Sequence, residues 1–506
     1  MSNTNLLLKG STLRVIRLCI NIGIGFWMLP FLLQYLGNED YALWVLIGSV
    51  VSSYYLMDLG ISQAVTRYTA IYIHKNEPER ANHIINTSLF IFSLLAVLLA
   101  IVSVLAAFFV VPELVDNIED VKKAQAILLI CGLSMSLEFP AKAFPGIISA
   151  YFRFDTLAIV RTIAVIIGAL ATYYFISGGY GVVTLAVIAL ISNICTTSFF
   201  VYYSKRLFKE LSFKRQFIKK SDVSEIYHFS KWTFIIDITK IIKEKMDVWL
   251  IAAFISASAV TVFYVAVRLV GYASELINQA LNITGPIFTK YYAQNEIEKL
   301  RNVFLFFVKL YILAATVFIA GLMVLGEEFI FLWVGDEVDY KLAFQCLILL
   351  AFGRLLAQIA NPFYSLLLTL NKHKYPAYLS VVDSSIALAS GLYLIPKYGV
   401  IGAAISFSLL VALMRITVMP IFVKKFIDIA FIPLIIRSFV FITFVISLTY
   451  MIEVNLPTIS TWIQIAYYSP LIALSSVMGS FVLFNKKEKV MIINWLKKLF
   501  KKKPLI

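Results

Sequence analysis

Fourteen apolar stretches follow one another along the chain, and each is long enough to cross a bilayer as a helix. A backbone inside lipid must satisfy its own hydrogen bonds, so such stretches fold as helices packed together in one polytopic domain. The composition agrees, because 60% of the residues are hydrophobic and 14% are charged, against about 25% charged in soluble proteins. The sequence therefore predicts an all-α membrane protein with about 14 transmembrane helices. The predicted spans, numbered 1 to 14, are residues 12–36, 41–73, 83–110, 124–149, 155–176, 182–203, 229–253, 261–289, 302–326, 342–370, 376–395, 401–423, 434–452 and 462–484.

Lysines and arginines are distributed unevenly between the two sides of the predicted membrane. An even number of spans places both termini on one side, and the loops of that side hold 27 of the 44 Lys and Arg residues, against 4 on the other side. The positive-inside rule makes the basic side, with both termini, cytoplasmic. Topology thereby explains the net charge of +15, and we expect no nucleic-acid partner. The opposite loops are short and acidic, so we expect no outer domain.

The two halves of the chain repeat each other. Both copies would contain six spans, an even number, and would share one orientation across the membrane. Four short matches recur in order at a nearly constant offset: Tyr41 with Tyr264, 66–68 with 289–291, 76–80 with 295–299, and 180–183 with 398–401. We predict an N-terminal six-helix lobe (1–203), a basic cytoplasmic linker (204–228), a C-terminal six-helix lobe (229–423), two additional helices (424–484) and a basic amphipathic cytoplasmic tail (485–506).

The predicted seventh span carries six charged residues between Trp232 and Leu250. A charge at mid-membrane costs roughly 2.5–3.5 kcal/mol on insertion scales, so these residues need partners, water or a ligand. Helical spacing predicts that this face is the polar wall of a transport cavity; a ladder of salt bridges between helices is the alternative. Five of the six lie within an arc of about 120°, namely Asp237, Lys240, Lys243, Glu244 and Asp247.

Inside the predicted spans, basic residues outnumber acidic ones by 13 to 7. Some bases lie near cytoplasmic ends and can reach the interface, but others are too deep. A cationic surplus in a low-dielectric cavity favours an anionic ligand, and arginine matches phosphate through paired donors. Arg268 has an alternative partner in Asp247, and Arg354 in a neighbouring carbonyl. The candidate anion-binding residues are Lys240, Lys243, Arg268 and Arg354, with Arg67 and Arg14 at the cytoplasmic mouth.

Several acidic residues inside the spans are candidates for coupling transport to an ion gradient. Asp58 precedes a glycine in mid-span, where it is either a helix-breaking cap or a coupling-ion site. For each acid, a structural salt bridge is the competing interpretation. The candidates are Asp58, Glu138, Asp237 and Glu275.

The sequence predicts no catalytic, metal or cofactor site. A phosphate-binding loop of the Walker type is absent, so we expect no ATP binding. The four cysteines and four histidines do not cluster in metal or redox spacings.

Residues near the first loop carry a family resemblance. The stretch 36–44 (LGNEDYALW), followed by 57–61 (MDLGI) and Arg67, resembles the pattern of Wzx-type polysaccharide flippases. These belong to the multidrug/oligosaccharidyl-lipid/polysaccharide (MOP) exporter superfamily. Residues 247–269 and 398–404 are similar to the cognate regions of the second half. Ala42 departs from the pattern, since a glycine is usual there, and so do residues 252–253.

The resemblance implies a MATE-like fold of two lobes plus two helices, and a function in the bacterial inner membrane. It implies that the protein moves undecaprenyl-diphosphate-linked oligosaccharide, for O-antigen, capsule or a related glycan, to the outer leaflet by alternating access. Coupling to H⁺ or Na⁺ and association with glycan polymerase or ligase machinery belong to the same expectation. An ion-coupled antiporter of small solutes or drugs is the alternative. A membrane-embedded polymerase or ligase is disfavoured, because the sequence has no large outer loop.

Overall fold

The computed structural model describes residues 3–58, 60–115, 117–281, 284–370, 372, 374–429, 431–456, 459–485 and 488–489. Within these ranges, the side chains of residues 3–15, 63, 215, 220–222, 225–237 and 286 are not part of the description. The regular secondary structure of the described residues is helical throughout, which confirms the all-α prediction. The chain forms two compact units, Met1–Thr261 and Val262–Ile506.

The first unit contains nine complete helices in its described part. Short 3₁₀ or π segments interrupt them at Tyr54–Asp58, Ala106–Val110, Phe139–Lys142 and Arg215–Phe217. The helices are α1 (Asn3–Ser53), α2 (Ile61–His74), α3 (Pro78–Leu105), α4 (Val111–Leu114), α5 (Ile118–Glu138), α6 (Ala143–Ala150), α7 (Phe154–Ser177), α8 (Val183–Leu207) and α9 (Lys220–Phe254).

The second unit begins inside α10 (Ala257–Leu281), at Val262. Its short segments are Gly335–Glu337, Ala351–Leu355, Gln358–Ala360 and Ile405–Leu409. The remaining helices are α11 (Thr284–Ala293), α12 (Ile297–Val334), α13 (Tyr340–Leu350), α14 (Asn361–Thr369), α15 (Lys374–Ala404), α16 (Leu410–Lys424), α17 (Phe431–Asn455) and α18 (Trp462–Gly479).

The predicted spans coincide with these helices. In the described part of the chain, 10 helical segments are long and apolar enough to cross a membrane. Two of these segments each join two predicted spans. Within them, α1 and α15 each contain a glycine with positive φ, Gly37 (φ 78°) and Gly399 (φ 61°). A side chain strains this backbone conformation, so glycine marks the turn between spans 1 and 2 and between spans 11 and 12. The charged span 7 lies in α9, and span 14 lies in α18.

One pair of matching turns supports the predicted repeat. Asn76 and Asn295, which the sequence match aligns with each other, are both non-glycine residues with positive φ, at 55° and 56°. Each turn closes with the same hydrogen bonds: the amides of Asn76 and Glu77 donate to Ile73 and Tyr72, as those of Asn295 and Glu296 donate to Tyr292 and Tyr291. The two matched stretches therefore adopt the same turn.

The helix α9 packs against α1, α2 and α3 of the first unit. The predicted repeat instead assigns most of α9 to the C-terminal lobe (229–423), so the lobe boundaries stay a prediction. The residues that follow α8 are fixed to α3 by two buried asparagines. Asn82 Oδ1 accepts from the Ser212 amide at 2.9 Å, and Asn86 Oδ1 accepts from the Lys214 amide at 3.1 Å. This part of the predicted linker is thus held against the first unit.

The core of the second unit joins α11, α12 and α14 to the two additional helices. Aromatic rings fill its centre, with the Phe304 and Phe363 centroids 4.9 Å apart in an edge-to-face arrangement. Phe441 of α17 and Ile472 of α18 are fully buried in the same cluster. Burial of this apolar surface fixes the additional helices to the second unit.

Candidate functional site

Arg268 lies on α10 between two tyrosine rings. Its guanidinium carbon is 5.5 Å from the ring centre of Tyr264 and 5.7 Å from that of Tyr272, one turn before and one turn after it. The Arg268 side chain is exposed, although α10 is a candidate membrane span. Rings at positions i−4 and i+4 attract the cation and limit its rotamers. Arg268 is therefore an accessible cation, held between two rings, on a candidate membrane span.

Glu275 is exposed on the same helix, about two turns beyond Arg268. Tyr272, whose ring Arg268 contacts, lies between the two residues in the sequence. The structure thus places one predicted anion-binding residue and one predicted coupling residue on the same helix.

Arg354 is part of a π-helical segment, Ala351–Leu355, in predicted span 10. It is half-buried and has interacting groups around it. Its neighbour Gly353 touches Ser408, which lies in another π segment, Ile405–Leu409. Single π turns inside α-helices are frequent at functional sites. Arg354 is therefore positioned by a tight contact between two irregular helices.

The polar face predicted on α9 is divided. Lys240 and Glu244 are exposed and Lys243 is half-buried, whereas Asp247 is 1% exposed. Two residues beyond, Trp249 Nε1 donates to Ser49 Oγ of α1 at 2.8 Å, which fixes this end of α9. The side chains on this face are therefore exposed around Lys240 and buried around Asp247.

Of the two residues predicted at the cytoplasmic mouth, Arg67 is described. It is exposed on α2, with its guanidinium carbon 5.8 Å from the ring centre of Tyr68. The side chains of Arg14 and Asp237 lie outside those that the structure describes, so their roles stay predictions.

Asp58 is buried at the break between α1 and α2. Its carboxylate accepts from the Ser62 amide at 2.9 Å and from Ser62 Oγ at 2.7 Å, so it caps α2. The same carboxylate lies 3.5 Å from Lys142 Nζ. Glu138 lies one turn before Lys142 in the chain. Lys142 therefore pairs with one predicted coupling residue, Asp58, and follows another, Glu138, by one helical turn.

Lys142 is one of the 13 basic residues inside the predicted spans, and nothing singled it out as a site residue. The neighbouring Pro140, which breaks the helix within Phe139–Lys142, is the sequence signal at this position. At this break, Lys142 Nζ also lies 3.9 Å from the Phe139 ring centre and 4.9 Å from that of Tyr55.

Two further buried ion pairs lie in the second unit. Arg415 Nε donates to Asp383 Oδ2 at 2.8 Å and thereby joins α16 to α15. Lys309 Nζ on α12 donates to both carboxylate oxygens of Glu488 at 2.8 Å. These contacts fix helices and the start of the tail to the second unit.

An open apolar cavity of about 330 Å³ lies between α1, α7 and α8 of the first unit. Its wall includes Met28, Leu32 and Trp44, and two hydroxyls, of Thr172 and Ser192. The predicted anion-binding residues whose side chains the structure describes are not in this wall. Sequence patterns gave no signal for it, because its lining resembles that of any packed membrane helix.

The described residues contain no group of three or more His, Cys, Asp or Glu side chains placed to hold a metal ion. The described side chains of the two units offer exposed and half-buried cations, buried acid–base pairs and apolar surface.

Known proteins share this architecture. The lipid II flippase MurJ, in an inward closed conformation, superposes with a TM-score of 0.74 at 16% identity, covering 93% of this chain and 97% of that one. An inward-facing multidrug resistance MATE family transporter of the MOP superfamily superposes with a TM-score of 0.64 at 16% identity, covering 84% and 98%. These likenesses show that the fold is that of the MOP superfamily, as the resemblance predicted.

Sequence comparison identifies the family. The membrane protein EpsK of Bacillus subtilis (strain 168), itself uncharacterized, is 21% identical over 372 residues, which are 72% of either chain. The model of a family described as polysaccharide biosynthesis protein matches residues 34–339, more than half of this chain. This chain, a multi-pass membrane protein with the MOP fold, therefore belongs to the polysaccharide biosynthesis protein family.

Proposed function

We propose that the protein is a flippase that moves a polyprenyl-diphosphate-linked oligosaccharide from the cytoplasmic to the outer leaflet of the bacterial inner membrane. The passenger would be a repeat unit of O-antigen, capsule or a related glycan, carried on undecaprenyl diphosphate. Membership of a polysaccharide biosynthesis family supports the glycan, and the likeness to a lipid II flippase supports the mode of transport. Both termini are cytoplasmic in this proposal, as the loop charges predict.

The observation that carries the proposal is the position of Arg268. It is an exposed guanidinium on a candidate membrane span, held between Tyr264 and Tyr272. An arginine offers paired donors to phosphate and keeps its charge at any physiological pH. A diphosphate is the part of a lipid-linked glycan that such a residue recognises.

The other predicted cations are further candidates for the diphosphate in our proposal. These are Lys240 and Lys243 of the first unit and Arg354 of the second, with Arg67 and Arg14 as candidates for drawing it in at the cytoplasmic mouth. The polyprenyl chain stays in the bilayer, and delivery to a glycan polymerase or ligase follows release. The driving ion acts through acids inside the spans, for which Asp58, Glu138, Asp237 and Glu275 are the candidates.

The test is complementation of a flippase-null strain, scored by surface glycan. Arg268→Ala and Lys240→Ala are each expected to abolish export while the protein stays at its normal level in the membrane. Lys397→Ala is the matched control. Lys397 also binds a tyrosine one turn earlier, with Nζ 2.6 Å from Tyr393 Oη, but it lies in a predicted outer loop. Full export by both Arg268→Ala and Lys240→Ala would count against the proposal.

An ion-coupled antiporter of small solutes or drugs is the competing function. The MATE likeness extends only to the fold, and the interior surplus of cations disfavours the cationic drugs that an antiporter of this kind would expel. Drug resistance on overexpression, without rescue of surface glycan, would favour the antiporter.

A further inference from the structure

The open cavity between α1, α7 and α8 continues toward the predicted cytoplasmic side along one face of each of two helices. On α7, Gly168 and Thr172 line the cavity, and Arg161 lies on the same face, 7 and 11 residues before them. On α1, Met28 lines the cavity, and Arg17 lies on the same face, 11 residues before it. Both helices therefore carry an arginine on the face that forms the cavity.

The two arginines lie at the same level of the membrane. Predicted spans 1 and 5, which are the first part of α1 and α7, are both odd-numbered and so run in the same direction. The Tyr173 ring of α7 contacts the rings of Trp27 and Phe31 of α1, with centroids 5.4 and 5.3 Å apart. Arg161 precedes Tyr173 by 12 residues, and Arg17 precedes the midpoint of the two α1 rings by 12 residues. Both therefore lie about 18 Å from this ring contact, toward the cytoplasm.

Arg161 is held at the cytoplasmic end of the cavity. Its guanidinium carbon lies 5.9 Å from the ring centre of Phe200 on α8, the third helix of the wall. The ring attracts the cation and limits its rotamers, although the side chain is exposed. The preceding carboxylate on α7, Asp155, is engaged by Arg153, with Nε 3.1 Å from Oδ1. Arg161 thus presents an accessible charge between α7 and α8.

Arg17 brings a second guanidinium to this level. It is half-buried, and its Nε makes no hydrogen bond within the described part of the protein. Leaving a buried donor without an acceptor costs about 1–3 kcal/mol, so a ligand that supplies an acceptor here is favoured. Phosphate oxygens match the donors of a guanidinium, and basic pockets between membrane helices on the cytoplasmic side bind anionic lipid headgroups.

The cavity has the length of one leaflet. From Arg161 to Thr172 the helix rises about 16 Å, which is roughly half of the 30 Å hydrocarbon core. The wall is apolar except for the hydroxyls of Thr172 and Ser192, and its volume of about 330 Å³ is that of a small ligand pocket. The arginines lie about 8 Å inside the predicted cytoplasmic ends of their spans, a depth that their long side chains bridge to the level of lipid phosphates.

We propose that this site binds one anionic phospholipid of the cytoplasmic leaflet. Its phosphate lies on Arg17 and Arg161, one acyl chain fills the cavity, and the other chain remains in the bilayer. Two guanidinium charges exceed the charge of one phosphate, so the site repels the ammonium of an ethanolamine headgroup and accepts a glycerol headgroup. An undecaprenyl chain is much longer than one leaflet and does not fit a cavity of this length. The bound lipid joins α1 to α7 and α8, and this role is independent of the proposed passenger.

The test titrates the purified full chain in detergent micelles with phosphatidylglycerol and counts the retained lipids by native mass spectrometry. The wild type is expected to retain one phosphatidylglycerol, at least about tenfold more tightly than phosphatidylethanolamine with the same acyl chains. The double variant Arg17→Gln/Arg161→Gln removes the charges that bind the phosphate. Gly168→Leu fills the cavity, since a Cβ on Gly168 would meet nothing within 4 Å. Each variant is expected to weaken binding of phosphatidylglycerol at least about tenfold.

Two controls match these variants. Lys205→Gln/Arg206→Gln removes two exposed cations at the end of α8, and Gly23→Leu adds a leucine to α1 outside the cavity wall. Both controls are expected to bind phosphatidylglycerol like the wild type, and the lipid should raise their melting temperatures but not that of Gly168→Leu. Should the arginine double variant not fold, Arg161→Gln alone takes its place, because this side chain is exposed.

Three outcomes overturn the inference. The first is equal affinity of the wild type for phosphatidylglycerol and phosphatidylethanolamine. The second is wild-type affinity for phosphatidylglycerol in the arginine variant or in Gly168→Leu. The third is tighter binding of undecaprenyl phosphate than of phosphatidylglycerol, which would assign the site to the polyprenyl carrier instead.

Discussion

The contact between Gly353 and Ser408 gives the sharpest prediction for stability. A Cβ added to Gly353 would lie 2.3–2.4 Å from Ser408 Cβ, carbonyl carbon and Oγ. Carbon atoms are at their best separation near 3.5–4.0 Å, so Gly353→Ala forces the two segments apart by about 1 Å. The same shift weakens the hydrogen bond from Ser408 Oγ to the Leu349 carbonyl, now 3.2 Å long.

Overpacking of this kind costs about 1–3 kcal/mol, and a lost hydrogen bond adds about 1 kcal/mol. We therefore expect Gly353→Ala to lower the free energy of unfolding by about 2–4 kcal/mol. Denaturant unfolding of the purified protein in detergent micelles, followed by circular dichroism, measures the change. Because Arg354 is the next residue, surface glycan in the complementation assay is expected to fall as well.

Gly321→Ala is the matched control for this prediction. Gly321 lies in α12 of the same unit, and a Cβ there would meet nothing within 4 Å. Alanine is the better helix former by up to about 1 kcal/mol, so this variant should be as stable as the wild type or slightly more stable. Equal stability of Gly353→Ala and Gly321→Ala would refute the reasoning from close packing.

Three other perturbations have expected outcomes. Lys309→Met leaves Glu488 without its buried cation and should destabilise the protein by about 3 kcal/mol. The double variant Lys309→Met/Glu488→Gln should recover most of this stability. Thermal unfolding measures both variants, and equal melting temperatures would contradict the prediction. Tyr264→Ala should weaken binding of a fluorescent polyprenyl-diphosphate-linked oligosaccharide about three- to fivefold, because Arg268 loses one of its two ring contacts. Tyr264→Phe should bind it like the wild type, because the face of the ring makes the contact. A binding titration that shows no difference between the two variants would count against this role. Asn295→Gly should melt at or above the wild-type temperature. Asn295→Ala should melt at a lower temperature, with about 1 kcal/mol less stability, since alanine disfavours positive φ. The opposite order would contradict the turn geometry.

Much of the fold was predictable from the sequence because the signals are local. An apolar stretch of membrane length becomes a helix whatever it packs against, since its backbone has no other way to satisfy its hydrogen bonds in lipid. The turns at Gly37 and Asn295 were likewise marked by residues that tolerate positive φ. The family was evident from short motifs in the first loop and the second span, and the match over residues 34–339 confirms it.

The candidate site was less predictable, because charge and spacing do not identify partners. Asp58 was recognised as either a cap or a coupling site, and the structure shows the capping contact with Ser62. Its partner Lys142 was not predictable, because Pro140 marks a helix break but not the residues that meet there. Helical spacing placed Asp247 on one face with Lys240, but their exposures differ, because α9 packs against its neighbours along part of that face.

The sequence alone determined the helices and the excess of cations within the spans, because both depend on residues close together in the chain. The repeat was predicted from matches between distant stretches of the sequence. Tertiary structure alone decided which charges meet and which remain accessible. Asp58 and Lys142 come together because two broken helices pack side by side, and Arg268 stays exposed although its helix is apolar. The physical reason is that the energy of a charge depends on the groups around it, and in a helical membrane protein those groups come mostly from helices distant in sequence.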